Sequence, residues 1–186
     1  MSIRNTHTRW GYIAQFLHWL IVALIVLQTI LASIAEDLPI SPKREQVYGL
    51  HKSVGITVLA LVLVRLIWRW ANPTPALPST LKAYERSVAN LTHVGLYVLL
   101  FAQPISGWLM TSAQGLQVSW FGFFQLPDLV HRNSGLFETL KSTHDNLALA
   151  LYLIVFLHVA AALKHHFVSK DDVLRRMLPF RKDRDR

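Results

Sequence analysis

The sequence predicts an all-α integral membrane protein, one four-helix bundle with both termini on the cytoplasmic side. Three observations carry that expectation. Of the 186 residues, 52% are hydrophobic and only 16% are charged, against roughly 25% charged in an average soluble domain. The charges gather at the ends of four apolar stretches, each long enough to supply the ~20 residues that a helix needs to cross a bilayer. Lys and Arg then divide unevenly between the two sides that four crossings define.

The first stretch, Tyr12 to Ala35, follows Arg4 and Arg9 with no small-residue cleavage site, so it reads as a retained span and not a removable leader. Pro39 and Pro42 punctuate the turn to the second, Val47 to Trp68. The NPTPALP run, Asn72 to Pro78, separates that span from the third, Val88 to Thr111. Pro104 lies inside the third span, where its missing N–H removes one helix hydrogen bond and bends the helix. Gln114 and Gly115 close it, and the fourth span runs from Leu147 to Val168. Between the last two spans, the loop from Ala113 to Lys141 is long for a compact bundle. Its Trp-Phe-Gly-Phe-Phe run, Trp120 to Phe124, either lies along the membrane surface or covers a site. No internal repeat is evident, so residues 1–186 read as one domain.

With the N-terminus inside, the inner side collects Arg4, Arg9, Arg65, Arg69, Lys82, Arg86, Lys164, Lys170, Arg175, Arg176, Arg181, Lys182, Arg184 and Arg186. The outer side keeps Lys43, Arg44, Lys52, Arg132 and Lys141. That imbalance orients the bundle, and the trailing basic residues face anionic lipid headgroups. Trp10, Trp19, Trp68, Trp70 and Trp108 fall near span ends, where indoles favour the interface. The net charge of +8 therefore belongs to the membrane edge. No basic face with interleaved aromatics points to nucleic acid. The absence of cysteine excludes disulfides, iron–sulfur clusters and thiolate chemistry.

Nine histidines are many for so small a membrane protein, and ionisable residues at membrane depth usually face the bundle interior and carry function. His144 and His158 are fourteen residues apart, about four turns or roughly 21 Å of rise, and differ by only about 40° in direction. They project from one face of the fourth span, with Leu151 between them and His165 continuing the stripe. His18 lies near the inner end of the first span, and His51 near the outer end of the second. Topology therefore pairs His18 with His158 at the inner level and His51 with His144 at the outer level. Two cross-helix histidine pairs are what two stacked bis-histidine haems require, and such haems suit electron transfer over oxygen chemistry. Each imidazole should be neutral, with its second nitrogen donating to a carbonyl. Small residues such as Gly11, Ala14, Gly49, Ser53, Gly55 and Ala148 cluster around these histidines and would make room for a porphyrin. Zinc or proton handling remains the alternative at this point. His7 and His131 read as ordinary surface residues.

The residues Leu17-His-Trp19, Leu50-His-Lys-Ser-Val-Gly55, Ser142-Thr-His-Asp-Asn-Leu-Ala148 and Leu157 to His166 resemble the bacterial cytochrome b561 family, which is related to the membrane cytochrome b subunits of nickel hydrogenases and formate dehydrogenases. Val64 to Pro78 and Thr92 to Trp108 share the likeness, which covers nearly the whole chain. The resemblance implies two haem b groups, held by His18 with His158 and by His51 with His144. His93 on the third span competes as an inner ligand, or else serves the inner haem or a quinone by hydrogen bonding. The resemblance also implies a bacterial inner-membrane protein that reduces ubiquinone, some relatives taking electrons from superoxide. Lys52, with Arg132 and Lys141, would attract such an anion at the outer site. His165 and Trp19 would form the inner quinone site. Arg65 and Arg69 could meet haem propionates, although positive-inside anchoring also accounts for them. Two other functions stay open: a haem anchor passing electrons between a partner dehydrogenase and quinone, and a histidine-based zinc or proton transporter.

Overall fold

The computed structural model describes residues 2–77 and 81–178. Pro78 and the basic residues Arg181, Lys182, Arg184 and Arg186 lie outside the described residues. Four helices form: α1 (Tyr12–Asp37), α2 (Pro42–Trp70), α3 (Ala83–Gln114) and α4 (Ser134–Lys164). All four are long and apolar enough to cross a membrane, and each contains its expected span, α4 continuing through a π-turn at His165–Ser169. α2 and α4 start before their spans because polar caps, not the apolar run, set their beginnings. Ser41 Oγ accepts from Arg44 N at the start of α2, with Pro42 in its first turn. Asn133 Oδ1 accepts from Leu136 N at the start of α4, which begins nearly four turns before the apolar stretch. Gly115, at φ 84°, closes α3 in a left-handed conformation that glycine takes without strain.

The helices pack as two pairs, α1 on α2 and α3 on α4, joined by the α2–α3 contact. The apolar core lies among Ile21, Val54, Val58 and Val62, flanked by Tyr97, Leu100 and Phe101 of α3. In α4 only Leu151 is buried, while Leu149, Leu153, Phe156 and Leu157 are exposed. A soluble protein would not leave such a surface in water; in a bilayer it meets lipid. The C-terminal segment returns to α1, where Gln15 Nε2 and Trp19 Nε1 donate to the carbonyls of Arg176 and Met177. The beginning of the chain folds over the same end, Tyr12 N donating to Ser2 O. The first and last described segments thus meet at one end of the bundle.

The α3–α4 loop is not free on the surface. It forms a hairpin of β1 (Ser119–Trp120) and β2 (Phe124–Gln125), turned through Phe121 and Gly122, both at positive φ, as primed hairpin turns require. Ser53 Oγ donates to Ser119 O and accepts from Phe121 N, while Trp120 Nε1 donates to Thr57 Oγ1. Trp120 thereby docks on α2 just past His51, and Phe123 faces outward.

Candidate cofactor site between the helices

The two histidine pairs are present. The rings of His18 and His158 are 6.3 Å apart between centroids, and those of His51 and His144 are 6.4 Å apart. Two imidazoles on opposite sides of one metal ion, each with a bond of about 2 Å, place their centroids roughly 6 Å apart. Both separations fit one shared ion. Each pair spans α4 and a helix that does not pack closely along it, α1 in one case and α2 in the other. A flat macrocycle would find its room there, since closely packed helices would leave none.

Hydrogen bonds fix the ring tautomers at the outer level. Gln28 O, which can only accept, lies 3.3 Å from His51 Nδ1, so that nitrogen carries the proton. Ser106 Oγ gives its single proton to Gln103 O at 2.8 Å and therefore accepts from His144 Nδ1 at 2.9 Å. In both rings Nε2 keeps the lone pair that a metal takes. At His144 the Gln103 side-chain amide donates to that lone pair at 3.1 Å, so a metal would displace it. Two carboxamide oxygens at this level, Gln28 Oε1 and Gln103 Oε1, are buried without partners. Gly107 makes room for the His144 ring: a Cβ there would lie 3.0 Å from Cε1.

At the inner level His93 sits beside His158, with ring centroids 5.5 Å apart. That is shorter than the shared-ion separation, and the ring lies at a tilt of 67°. His93 therefore packs more closely on His158 than His18 does. Among the described residues no group of three or more His, Cys, Asp or Glu converges on a point, whereas a structural zinc site needs four such ligands.

The remaining expected residues fall as follows. His165 opens the π-turn, and its Nδ1 lies 2.6 Å from Asp171 Oδ2, both side chains mostly buried. Single π-turns inside helices recur at functional sites. Trp19 packs edge-on against His18 and has already given its N–H to Met177 O. Lys52 follows His51 on α2, half-buried, and no carboxylate pairs with it among the described residues. Sequence reasoning gave no role to Gln28, Gln103, Ser106, Gly107 or Asp171. A run of small and polar residues inside an apolar span, Gln103 to Gly107, was the available signal.

The family profile described as prokaryotic cytochrome b561 matches residues 9–180. Among curated proteins, cytochrome b561 homolog 2 of Escherichia coli is 34% identical over 96% of this chain and 95% of its own length. The probable superoxide oxidase of Yersinia pestis is 32% identical over 93% of this chain and 97% of its own. Cytochrome b561 homolog 1 of Escherichia coli is 31% identical, covering 90% and 95%.

Proposed function

The chain belongs to the prokaryotic cytochrome b561 family, membrane proteins that bind haem b and transfer electrons, and from that premise we propose that it holds two haems b and oxidises superoxide at one face of the bacterial inner membrane while reducing ubiquinone at the other. The observation that carries the proposal is the matched pair of histidine separations, 6.3 and 6.4 Å, at two depths along α4. A haem b with two imidazole ligands supplies reversible one-electron transfer with no open coordination position.

The chain's own residues do the rest. His51 and His144 hold the outer group, and Gln28 O and Ser106 Oγ accept from Nδ1 of each ring, aiming it and leaving Nε2 for the metal. His18 and His158 hold the inner group, with His93 packed beside it. Lys52 raises the local concentration of an anionic donor at the outer mouth; each superoxide gives up one electron and leaves as dioxygen. Two such electrons and two protons convert a quinone to its quinol. At the inner end Asp171 fixes His165 Nδ1, leaving Nε2 as the atom that exchanges a proton with a quinone oxygen. Trp19 contributes an aromatic wall to that site. The count of Lys and Arg supports placing this end in the cytoplasm.

The test is a reduced-minus-oxidised absorption spectrum with haem-to-protein stoichiometry. We expect two haems b per chain, one lost in His51→Ala or His144→Ala and the other in His18→Ala or His158→Ala. One haem per chain, or haem loss in His93→Ala with retention in His18→Ala, overturns the ligand assignment. Superoxide consumption coupled to reduction of a soluble ubiquinone analogue then tests the reaction itself.

A further inference from the structure

A second polar feature lies beside the inner histidine pair and takes no part in the reaction described above. Between α1, α2, Tyr97 of α3 and the first residues of the chain is a shallow recess lined by Asn5, Arg65, Trp68, Arg69 and Tyr97. Arg65, Trp68 and Arg69 stand at i, i+3 and i+4 on α2, hence on one face. Arg65 Nη1 donates to Ala14 O at 3.0 Å, and Ala14 is one turn from His18. Tyr97 is one turn from His93. Arg69 rests over the Trp10 ring at 6.0 Å. Among the described residues no carboxylate lies within ion-pair distance of either arginine.

The recess also holds two donors with nothing to donate to. Trp68 Nε1 is buried and unpartnered. Asn5 is only 6% exposed; its Oδ1 accepts from Gly11 N at 2.9 Å, which fixes the amide's orientation and turns Nδ2, also unpartnered, to the other side. Buried donors are nearly always satisfied in native proteins. Two arginines and two orphan N–H groups around one recess ask for a group that only accepts and carries negative charge. The room at its floor is about 10 Å³, on the order of one water-sized atom, so an oxygen at the tip of an anionic arm can enter and a quinone ring cannot.

We propose that this recess binds a single oxyanion arm, either a propionate carboxylate of the haem held by His18 and His158 or the phosphate of a lipid. The propionate source rests on the two-haem reading; the phosphate source does not. Trp68→Phe removes one donor and keeps the ring and the net charge, so it separates a hydrogen-bonding role from the general field of the arginines. Asn5→Asp keeps the Gly11 bond and presents an anion where Nδ2 stood. The purified protein and both variants are examined by redox titration, redox-difference infrared spectroscopy and native mass spectrometry. For a propionate, both variants lower the midpoint potential of the haem that His158→Ala loses and shift its carboxylate band, leaving the other haem unchanged. For a lipid, both potentials hold, and one phospholipid bound to the wild type is missing from both variants and is not recovered when phosphatidylglycerol is added. Variants that keep wild-type potentials, carboxylate bands and lipid content overturn the proposal. A wild type with no inner haem removes the propionate source and defeats the two-haem reading, while the lipid measurement still reads the recess.

Discussion

Replacing Gly107 with alanine tests whether the His144 ring stands where a metal ligand must. The added Cβ would lie 3.0 Å from Cε1 and 3.4 Å from Nδ1. Carbon atoms rest at about 3.5–4.0 Å, so the ring must retreat by roughly 0.5 Å or more. Overpacking of this kind costs about 1–3 kcal/mol, while exchanging glycine for alanine inside a helix returns about 1 kcal/mol. The net loss is therefore at most about 2 kcal/mol, and the protein should fold and insert. A haem held by His51 and His144, as proposed, would be less tolerant, because metal–ligand distances hold to about 0.2 Å. The retreat also strains the 2.9 Å bond between Nδ1 and Ser106 Oγ. We expect Gly107→Ala to lose part of the outer haem, or shift it out of the low-spin state, and Gly107→Val to lose all of it. The inner haem should be untouched, as read by stoichiometry and by the low-spin electron paramagnetic resonance signals. Full occupancy and unaltered spectra in both variants would refute the placement of His144.

Other consequences follow from packing and hydrogen bonding. Ser53→Ala should destabilise the protein by about 1–3 kcal/mol, because it removes both of its bonds to the hairpin, from Phe121 N and to Ser119 O, each worth about 0.5–1.5 kcal/mol; limited proteolysis between residues 119 and 125 would report the freed hairpin. Trp120→Phe, which forfeits only the bond to Thr57, should cost about 0.5–1.5 kcal/mol and cut more slowly than Ser53→Ala. Val62 is fully buried at the centre of the core, so Val62→Ala should lower stability by roughly 1–3 kcal/mol in detergent melts without altering haem content. Asp171→Asn should leave both haems reducible by dithionite and slow quinone reduction by roughly a hundredfold, the low end of the range for acid–base groups; unchanged turnover would remove His165 from the proposed site.

The sequence made the histidine pairing legible because the argument needed only depth and direction, both set by helix period and by alternation of spans. His144, His158 and Leu151 share a stripe at any reasonable helix boundary, and Leu151 is indeed the one buried residue of α4. Helix ends were harder. The apolar run starts at Leu147, but Asn133 caps the helix four turns earlier, and a cap is a local event that hydropathy averages away. Gln28, Gln103 and Ser106 were invisible for another reason: their roles depend on rotamers and on which neighbouring helix faces them. Asp171 escaped because a π-turn and a reversal bring it back to His165, and no periodic pattern announces that return. The Trp-Phe-Gly-Phe-Phe run could be read two ways since its aromatics divide between the bundle and the outside.

Each histidine pair takes one member from α4, and the other members come from two different helices. That arrangement makes α4 a ruler. Movement of α1 or α2 could loosen one centre, yet the spacing between centres is written into one continuous rod and survives such motion. Lengthening the rod by seven residues between His144 and His158 would nearly restore the facing of the rings, drifting by about 20°, and would add roughly 10 Å between levels. Inserting a single residue would swing one ring by about 100° and leave its partner facing nothing. The tolerated changes in this segment are therefore quantised, and a designer who wishes to slow the traffic between the two levels has a length to alter and a phase to respect.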